Sequence, residues 1–199
     1  MSDLLGELPA PSASTAELVT RYECRETPVR AVDDLVAAAP WPLGYDRVWE
    51  PCAGTGTLAG RLRDHGYEVV ASDVLDWGAG YDLIADVFDV TEPPAPVVVT
   101  NPPFSVAHAL VRHLLSIGVG EVLLFHDLTW FAQVAAWDLF DDAPPTHYCP
   151  LRRRVTCWRF DIPTDKRRGS TPQRFAWYRW RAGHAGATEL HRIPKPEGA

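Results

Sequence analysis

Four consecutive residues, Asn101-Pro102-Pro103-Phe104, carry the most specific chemistry in this chain. They follow Val97-Val98-Val99-Thr100, a run that reads as a buried strand. The two prolines rigidify the strand exit and remove two backbone N–H donors. Carbonyl groups and the Asn101 amide are then left to face a ligand, and Phe104 offers a flat stacking surface. An exocyclic amine is a poor nucleophile because its lone pair is delocalised into the ring. The Asn101 side-chain oxygen and the Pro102 carbonyl can each accept one N–H from such an amine. That draws the nitrogen toward tetrahedral geometry and localises its lone pair. Hydride transfer has no evident use for this group of residues.

Two further features lie upstream. Glu50-Pro51-Cys52-Ala53-Gly54-Thr55-Gly56 joins a short strand to a helix. Glycines there let the backbone approach a ligand, and the helix N-terminus favours polar or anionic groups. Gly54-x-Gly56-x-x-Ala59 also fits the nicotinamide-dinucleotide fingerprint, and a purely structural turn is the bland alternative. Asp73 ends the next strand, nineteen residues after Gly54. A carboxylate there can accept hydrogen bonds from both hydroxyls of a ribose; helix capping is its other use.

The elements that must position these residues alternate. Helix is expected over 21–39, with Thr27 as N-cap, Pro28 at the first helical position, and Val29, Val32, Leu35 and Val36 on one face. Strands are expected over 47–50, 68–72, 82–85, 96–100 and 121–125, and helices over 58–65, 106–116 and 129–140, with Trp130, Trp137 and Phe140 on a core stripe. This order specifies an α/β fold, Rossmann-like, with a mostly parallel sheet and helices on both faces. Residues 147–160 and 174–181 read as two antiparallel strands at the end of the sheet, joined by a polar turn over 161–173. Residues 1–20 are expected to be a loose arm, and 21–199 a single domain.

Composition limits the function. With 199 residues, 46% of them hydrophobic, the chain can bury a real core. No apolar run approaches the ~20 residues of a membrane helix, and the N-terminus lacks a signal-peptide pattern, so a cytoplasmic protein is expected. Cys24, Cys52, Cys149 and Cys157 form no CxxC pair, and the seven histidines form no HxxxH or HxH pair, so no metal is expected. His108 and His113 read as exposed helix residues, and His126, after the fifth strand, as structural. The net charge of -7 is uneven. Residues 151–182 hold ten Lys/Arg against two acids, leaving the remainder at −15. Arg152, Arg153, Arg154, Lys166, Arg167 and Arg168 are therefore candidates for a phosphate-binding surface, with a solvated edge as the alternative.

Taken together, the NPPF tetrad after a buried strand, the EPCAGTG loop and the aspartate after the second strand resemble the S-adenosylmethionine-dependent amino-methyltransferases. The resemblance is in particular to the adenine-N6 DNA methyltransferases of bacteria and phages, over about residues 20–182. The resemblance implies S-adenosylmethionine as cofactor and DNA as partner. It also implies Tyr22, Thr27 and Pro28 as an N-terminal motif on the cofactor's methionine part, and Glu50 to Gly56 as the cofactor loop. Asp73 and Val74 would lie at the ribose, and Asp86, Val87 and Phe88 at the cofactor adenine. Asn101, Pro102, Pro103 and Phe104 would be catalytic. Too few residues follow the fifth strand for a full target-recognition region, so RNA is a possible substrate beside DNA. An RNA-base or protein-glutamine amino-methyltransferase is the second reading. A non-catalytic cofactor-binding protein is a third, and a nicotinamide dehydrogenase a remote fourth.

Overall fold

The computed structural model describes residues 14–38 and 45–193. Among the described residues, eight strands form one sheet: β1 (Arg47–Glu50), β2 (Glu68–Asp73), β3 (Leu83–Ile84), β4 (Val97–Thr100), β5 (Glu121–Asp127), β6 (His147–Pro150), β7 (Phe175–Arg181) and β8 (Glu189–Leu190). Their spatial order is β3-β2-β1-β4-β5-β7-β6-β8. The first five are parallel. β7 runs antiparallel to both β5 and β6, and β8 is parallel to β6. Five helices accompany them: α1 (Thr15–Arg21), α2 (Val29–Ala37), α3 (Thr57–Asp64), α4 (Ala107–Ser116) and α5 (Trp137–Asp142).

Period-two alternation divides the core into two layers. Val97 and Val99 of β4 and Phe175 and Trp177 of β7 face the layer with α2 and α3. Val98, and Ala176, Tyr178 and Trp180 of β7, face the layer with α4. Burying each large apolar side chain contributes roughly 1.5–3 kcal/mol. The buried indoles also find acceptors: Trp49 donates to Ser72 Oγ at 2.8 Å, Trp177 to the Ala31 carbonyl at 2.9 Å, and Trp180 to the Ala143 carbonyl at 2.8 Å.

The α/β architecture and the antiparallel C-terminal pair are as expected, with several corrections. The expected arm over 1–20 contains α1, because Ser14 and Glu17 cap each other reciprocally; residues 1–13 lie outside the described residues. Residues 22–28 are not helical: α1 ends at Arg21 and α2 begins at Val29, with Pro28 as N-cap in place of Thr27. Val29 lies on the exposed side, and Ala31 takes its place in the core. The expected helix over 129–140 is two 3-10 turns, Trp130–Ala132 and Val134–Ala136, followed by α5. Asp127 Oδ1 captures the N–H and hydroxyl of Thr129 at 2.8 and 2.6 Å, a local turn that competes with a helical start. Trp137 is consequently exposed, whereas Trp130 is buried. His113 is buried too, with Nε2 3.0 Å from the Val90 carbonyl. Finally, β7 lies inside the sheet, and the chain leaves β6 after Pro150 instead of continuing as strand to residue 160.

Candidate active site at the carboxyl ends of the parallel strands

β1 and β2 pair in register from Arg47↔Glu68 to Glu50↔Ala71, which brings the Gly-rich loop beside Asp73. The loop needs glycine at Gly54 and Gly56, whose φ angles are 52° and 77°. Gly56 is the N-cap of α3. Asp73 fixes the loop: Oδ2 accepts from Gly54 N at 2.9 Å, and Oδ1 accepts from Leu75 N at 3.1 Å and Trp77 Nε1 at 3.2 Å. Burial pushes its carboxyl pKa up despite these donors. The Tyr81 hydroxyl donates to the Gly54 carbonyl on the other side. Asp86 caps the 3-10 turn Val87–Asp89, accepting from Phe88 N at 3.0 Å.

Asn101 follows β4. Its side-chain Nδ2 donates to the Arg25 carbonyl at 3.3 Å and to Thr27 Oγ1 at 3.0 Å. The Arg25 carbonyl can only accept, so the side-chain nitrogen must face it. The amide nitrogen is thereby committed to the chain, and Oδ1 is the side-chain atom left to accept. Phe104 N donates to Glu23 Oε2 at 3.1 Å. Glu23 itself has a φ of 50°, a left-handed conformation unusual for a side-chain-bearing residue.

One cavity collects most of the expected residues. Tyr22, Pro51, Cys52, Gly54, Asp73, Val74, Asp86, Val87, Phe88, Asn101, Pro102, Pro103 and Phe104 all line it. Thr27, Glu50 and Ala53 line an adjoining hollow, which also touches Asn101. Pro28 and Gly56 shape the backbone by capping α2 and α3. The charged lining is three acids, Glu23, Asp73 and Asp86, against Arg25. Such a lining suits a cationic ligand carrying hydroxyl groups and disfavours the diphosphate of a dinucleotide. Among the described residues, no group of three or more His, Cys, Asp or Glu side chains is placed to hold a metal ion. No described helix is long and apolar enough to cross a membrane.

Several site residues had no signal in the motifs. Glu23 and Arg25 are one such pair. Phe160 is another: its ring lies over the Gly-rich loop so closely that a β-carbon on Gly54 would overlap it, and it meets Trp77 edge to face at 5.5 Å. Residues 157–167 return to the N-terminal segment through an Arg25↔Arg159 bridge, a Glu26 N to Trp158 carbonyl bond of 2.8 Å and an Arg167–Glu26 ion pair. Ion pairing competes with phosphate for guanidinium groups, and it divides the cations of this basic stretch. Arg167 is engaged by Glu26, Arg159 by Asp161, and Arg179 and Arg181 by Glu121. Arg152, Arg153, Arg154, Lys166, Arg168 and Arg174 are exposed.

Glu50 yields the first prediction. It is fully buried, Oε2 has no partner, and desolvation followed by the Asp73 charge raises its pKa well above the ordinary value. A raised folded-state pKa means that the folded state holds the proton more tightly than the unfolded one. Its stabilisation is complete below the unfolded value of about 4.5 and is lost as pH rises toward the folded value. Glu50→Gln removes that loss. Thermal melts from pH 5 to 8 should show the variant gaining on the wild type as pH rises. Parallel curves would contradict the assignment.

The sheet order, with five parallel strands and an antiparallel β7 between β5 and β6, defines a Rossmann-like methyltransferase fold. The chain is similar to a Pyrococcus horikoshii protein inferred to be an RNA methyltransferase, at 20% identity and a TM-score of 0.54, covering 89% of this chain and 94% of that one. It is similar also to the 23S rRNA methyltransferase ErmE, at 15% identity and a TM-score of 0.51, covering 80% and 69%. A SAM-dependent methyltransferase of Leishmania major aligns at 14% identity and a TM-score of 0.53, covering 77% and 73%. No protein-family model matches the chain, and no curated protein sequence does.

Proposed function

We propose that this protein is an S-adenosylmethionine-dependent methyltransferase that modifies an exocyclic amine of a nucleic-acid base, with adenine N6 in DNA as the acceptor. The observation that carries the reading is the shared cavity: Asn101, oriented by Arg25 and Thr27, opens on the same space as Asp73 and Asp86. The cofactor, when bound, supplies an electrophilic methyl group on a sulfonium centre. Asp73 would receive one ribose hydroxyl in its remaining acceptor site, since three N–H donors use three of its roughly four lone-pair sites. Asp86 and Phe88 would hold the adenine of the cofactor. Asn101 Oδ1 and the Pro102 carbonyl would accept the two N–H groups of the acceptor amine. Held by these two acceptors, the amine would present its lone pair to the methyl group that the bound cofactor would supply and would give up one proton to solvent. The chain contributes positioning and electrostatic complementarity. In a duplex the base must leave the stack, and Phe104 would receive it.

An RNA base is the second reading. It is favoured by the names of two structural neighbours, an inferred RNA methyltransferase and a 23S rRNA methyltransferase. A methyl-labelled cofactor offered with duplex DNA, single-stranded DNA, RNA and a protein extract separates the cases. Label in DNA is expected. Label in RNA alone selects the second reading, and label in protein alone overturns the nucleic-acid assignment.

The exposed cations give a second prediction. Each phosphate contact adds about 0.9 to the slope of log affinity against log salt for duplex DNA. Lys166→Ala with Arg168→Ala should flatten that slope by roughly two, while Arg167→Ala, already paired with Glu26, should change it little. Salt titrations of DNA binding check this; an unchanged slope in the double variant moves the docking surface elsewhere.

A further inference from the structure

His126, the sixth residue of β5, is 1% exposed and lies behind the cavity. Its ring packs face against Phe104 in a tilted arrangement, 4.0 Å between centroids and 31° between planes, and stacks on Trp130 at 4.1 Å and 23°. Trp130 is in turn gripped edge to face by Phe140, Tyr178 and Trp180 at 5.3, 5.3 and 5.9 Å. A continuous column of rings therefore runs from the core at β7 to the wall of the active site. Neither His126 ring nitrogen makes a hydrogen bond of good geometry, although the Phe104 backbone lies near enough to favour the protonated ring slightly. The ring's close contacts to the site wall are made through its faces.

We propose that His126 is a positioning residue for the acceptor base: it fixes the plane of the Phe104 ring by stacking, and acts through its faces instead of its nitrogens. The inference rests on the reading of Phe104 as the platform for that base. Phe104 is only half-buried, and its backbone is held from the other side by Glu23. Without the ring beneath it, Phe104 could rotate about its side-chain torsions and the platform would lose its orientation. A misoriented base costs rate as well as affinity, because the amine must meet the methyl group in line. Burial holds the imidazole neutral, with a pKa pushed down to about 3, so the stack does not change charge near neutral pH. Two buried nitrogens without well-formed hydrogen bonds are an energetic burden that an apolar ring would not carry.

Three variants separate stacking from nitrogen chemistry and from general packing. His126→Phe keeps the ring faces and removes the nitrogens. His126→Leu keeps approximate bulk and removes the faces. His126→Ala removes both. The expected result is that His126→Phe melts at a higher temperature than wild type and retains kcat and acceptor KM within threefold. His126→Leu and His126→Ala lose at least tenfold in kcat/KM for the acceptor, with cofactor Kd within twofold. Equal losses in Phe and Leu variants would overturn the proposal and assign the role to a ring nitrogen; wild-type kinetics in the Leu variant would overturn it outright. A fluorine label on the Phe104 ring reports the same contact without catalysis. Its resonance should keep its position in His126→Phe and move with faster ring flipping in His126→Leu. If wild type transfers no methyl group to any acceptor, the functional reading fails, and the fluorine spectra alone decide whether the stack positions Phe104; identical spectra in all variants overturn it.

Discussion

Asn101→Ala should lower the turnover of methyl transfer by about 10²–10³-fold, the typical cost of removing one hydrogen-bonding group aimed at charge developing in a transition state. The physical basis is its fixed geometry. Nδ2 is tied to the Arg25 carbonyl and Thr27 Oγ1, so Oδ1 is left to accept without reorganisation at the moment of reaction. Its contact strengthens as the amine nitrogen becomes tetrahedral and its hydrogens more acidic, so the loss falls on kcat more than on ground-state binding. Cofactor affinity should stay within about twofold, because the cofactor's hydroxyl and amine partners would be Asp73 and Asp86. Asn101→Asp is the sharper variant. It restores an oxygen toward the acceptor but presents a second oxygen to the Arg25 carbonyl, which repels it, so the orienting bonds are lost and rescue is not expected. Single-turnover kinetics with saturating cofactor measure the chemical step. Full turnover in Asn101→Ala would remove this residue from the mechanism.

Asp73→Ala should weaken S-adenosylmethionine binding by about 1–3 kcal/mol through the loss of charge-assisted hydrogen bonds, roughly a 5- to 150-fold change in Kd. The variant also releases Gly54 N, Leu75 N and Trp77 Nε1, so the Gly-rich loop loses its anchor and the melting temperature should fall. Asp73→Asn distinguishes the two effects. It retains one acceptor oxygen for the loop but cannot provide a carboxylate for a ribose hydroxyl, so affinity should fall further than stability. Calorimetry with S-adenosylmethionine and with NADH checks both expectations. Tight NADH binding without S-adenosylmethionine binding would contradict the acidic character of the cavity.

The backbone of this account was legible because strong local patterns agreed with the global fold. Three β-branched valines at 97–99 favour a strand buried on both faces, and the glycines at 54 and 56 mark a turn that requires left-handed backbone. Ser14-Thr15-Ala16-Glu17 carried a capping-box signature for α1 that the small, polar composition of the N-terminus concealed. The breakup of 129–142 was harder to foresee. Trp130 is drawn into the core by the His126 ring and by β7, and a long-range contact of this kind leaves no periodic trace. The same holds for the site. Asp73 and Asn101 announce themselves by their places, one closing β2 and the other just after β4. Phe160, Arg167 and Glu23 reach the cavity or its neighbourhood only because 157–167 folds back over 20–27. Charge counting could not tell that Arg179 and Arg181 would share Glu121, so the basic stretch looked larger than the surface it presents.

The most direct test of the central claim is nucleoside mass spectrometry after reaction with isotopically labelled S-adenosylmethionine. Duplex DNA, single-stranded DNA and RNA are each incubated with wild type and with Asn101→Ala, digested to nucleosides and resolved. The account predicts labelled N6-methyldeoxyadenosine from wild type and a loss of about 10²–10³-fold in its initial rate with the variant. Label confined to a ring carbon, a hydroxyl or a protein side chain, or equal label from both proteins, would contradict it.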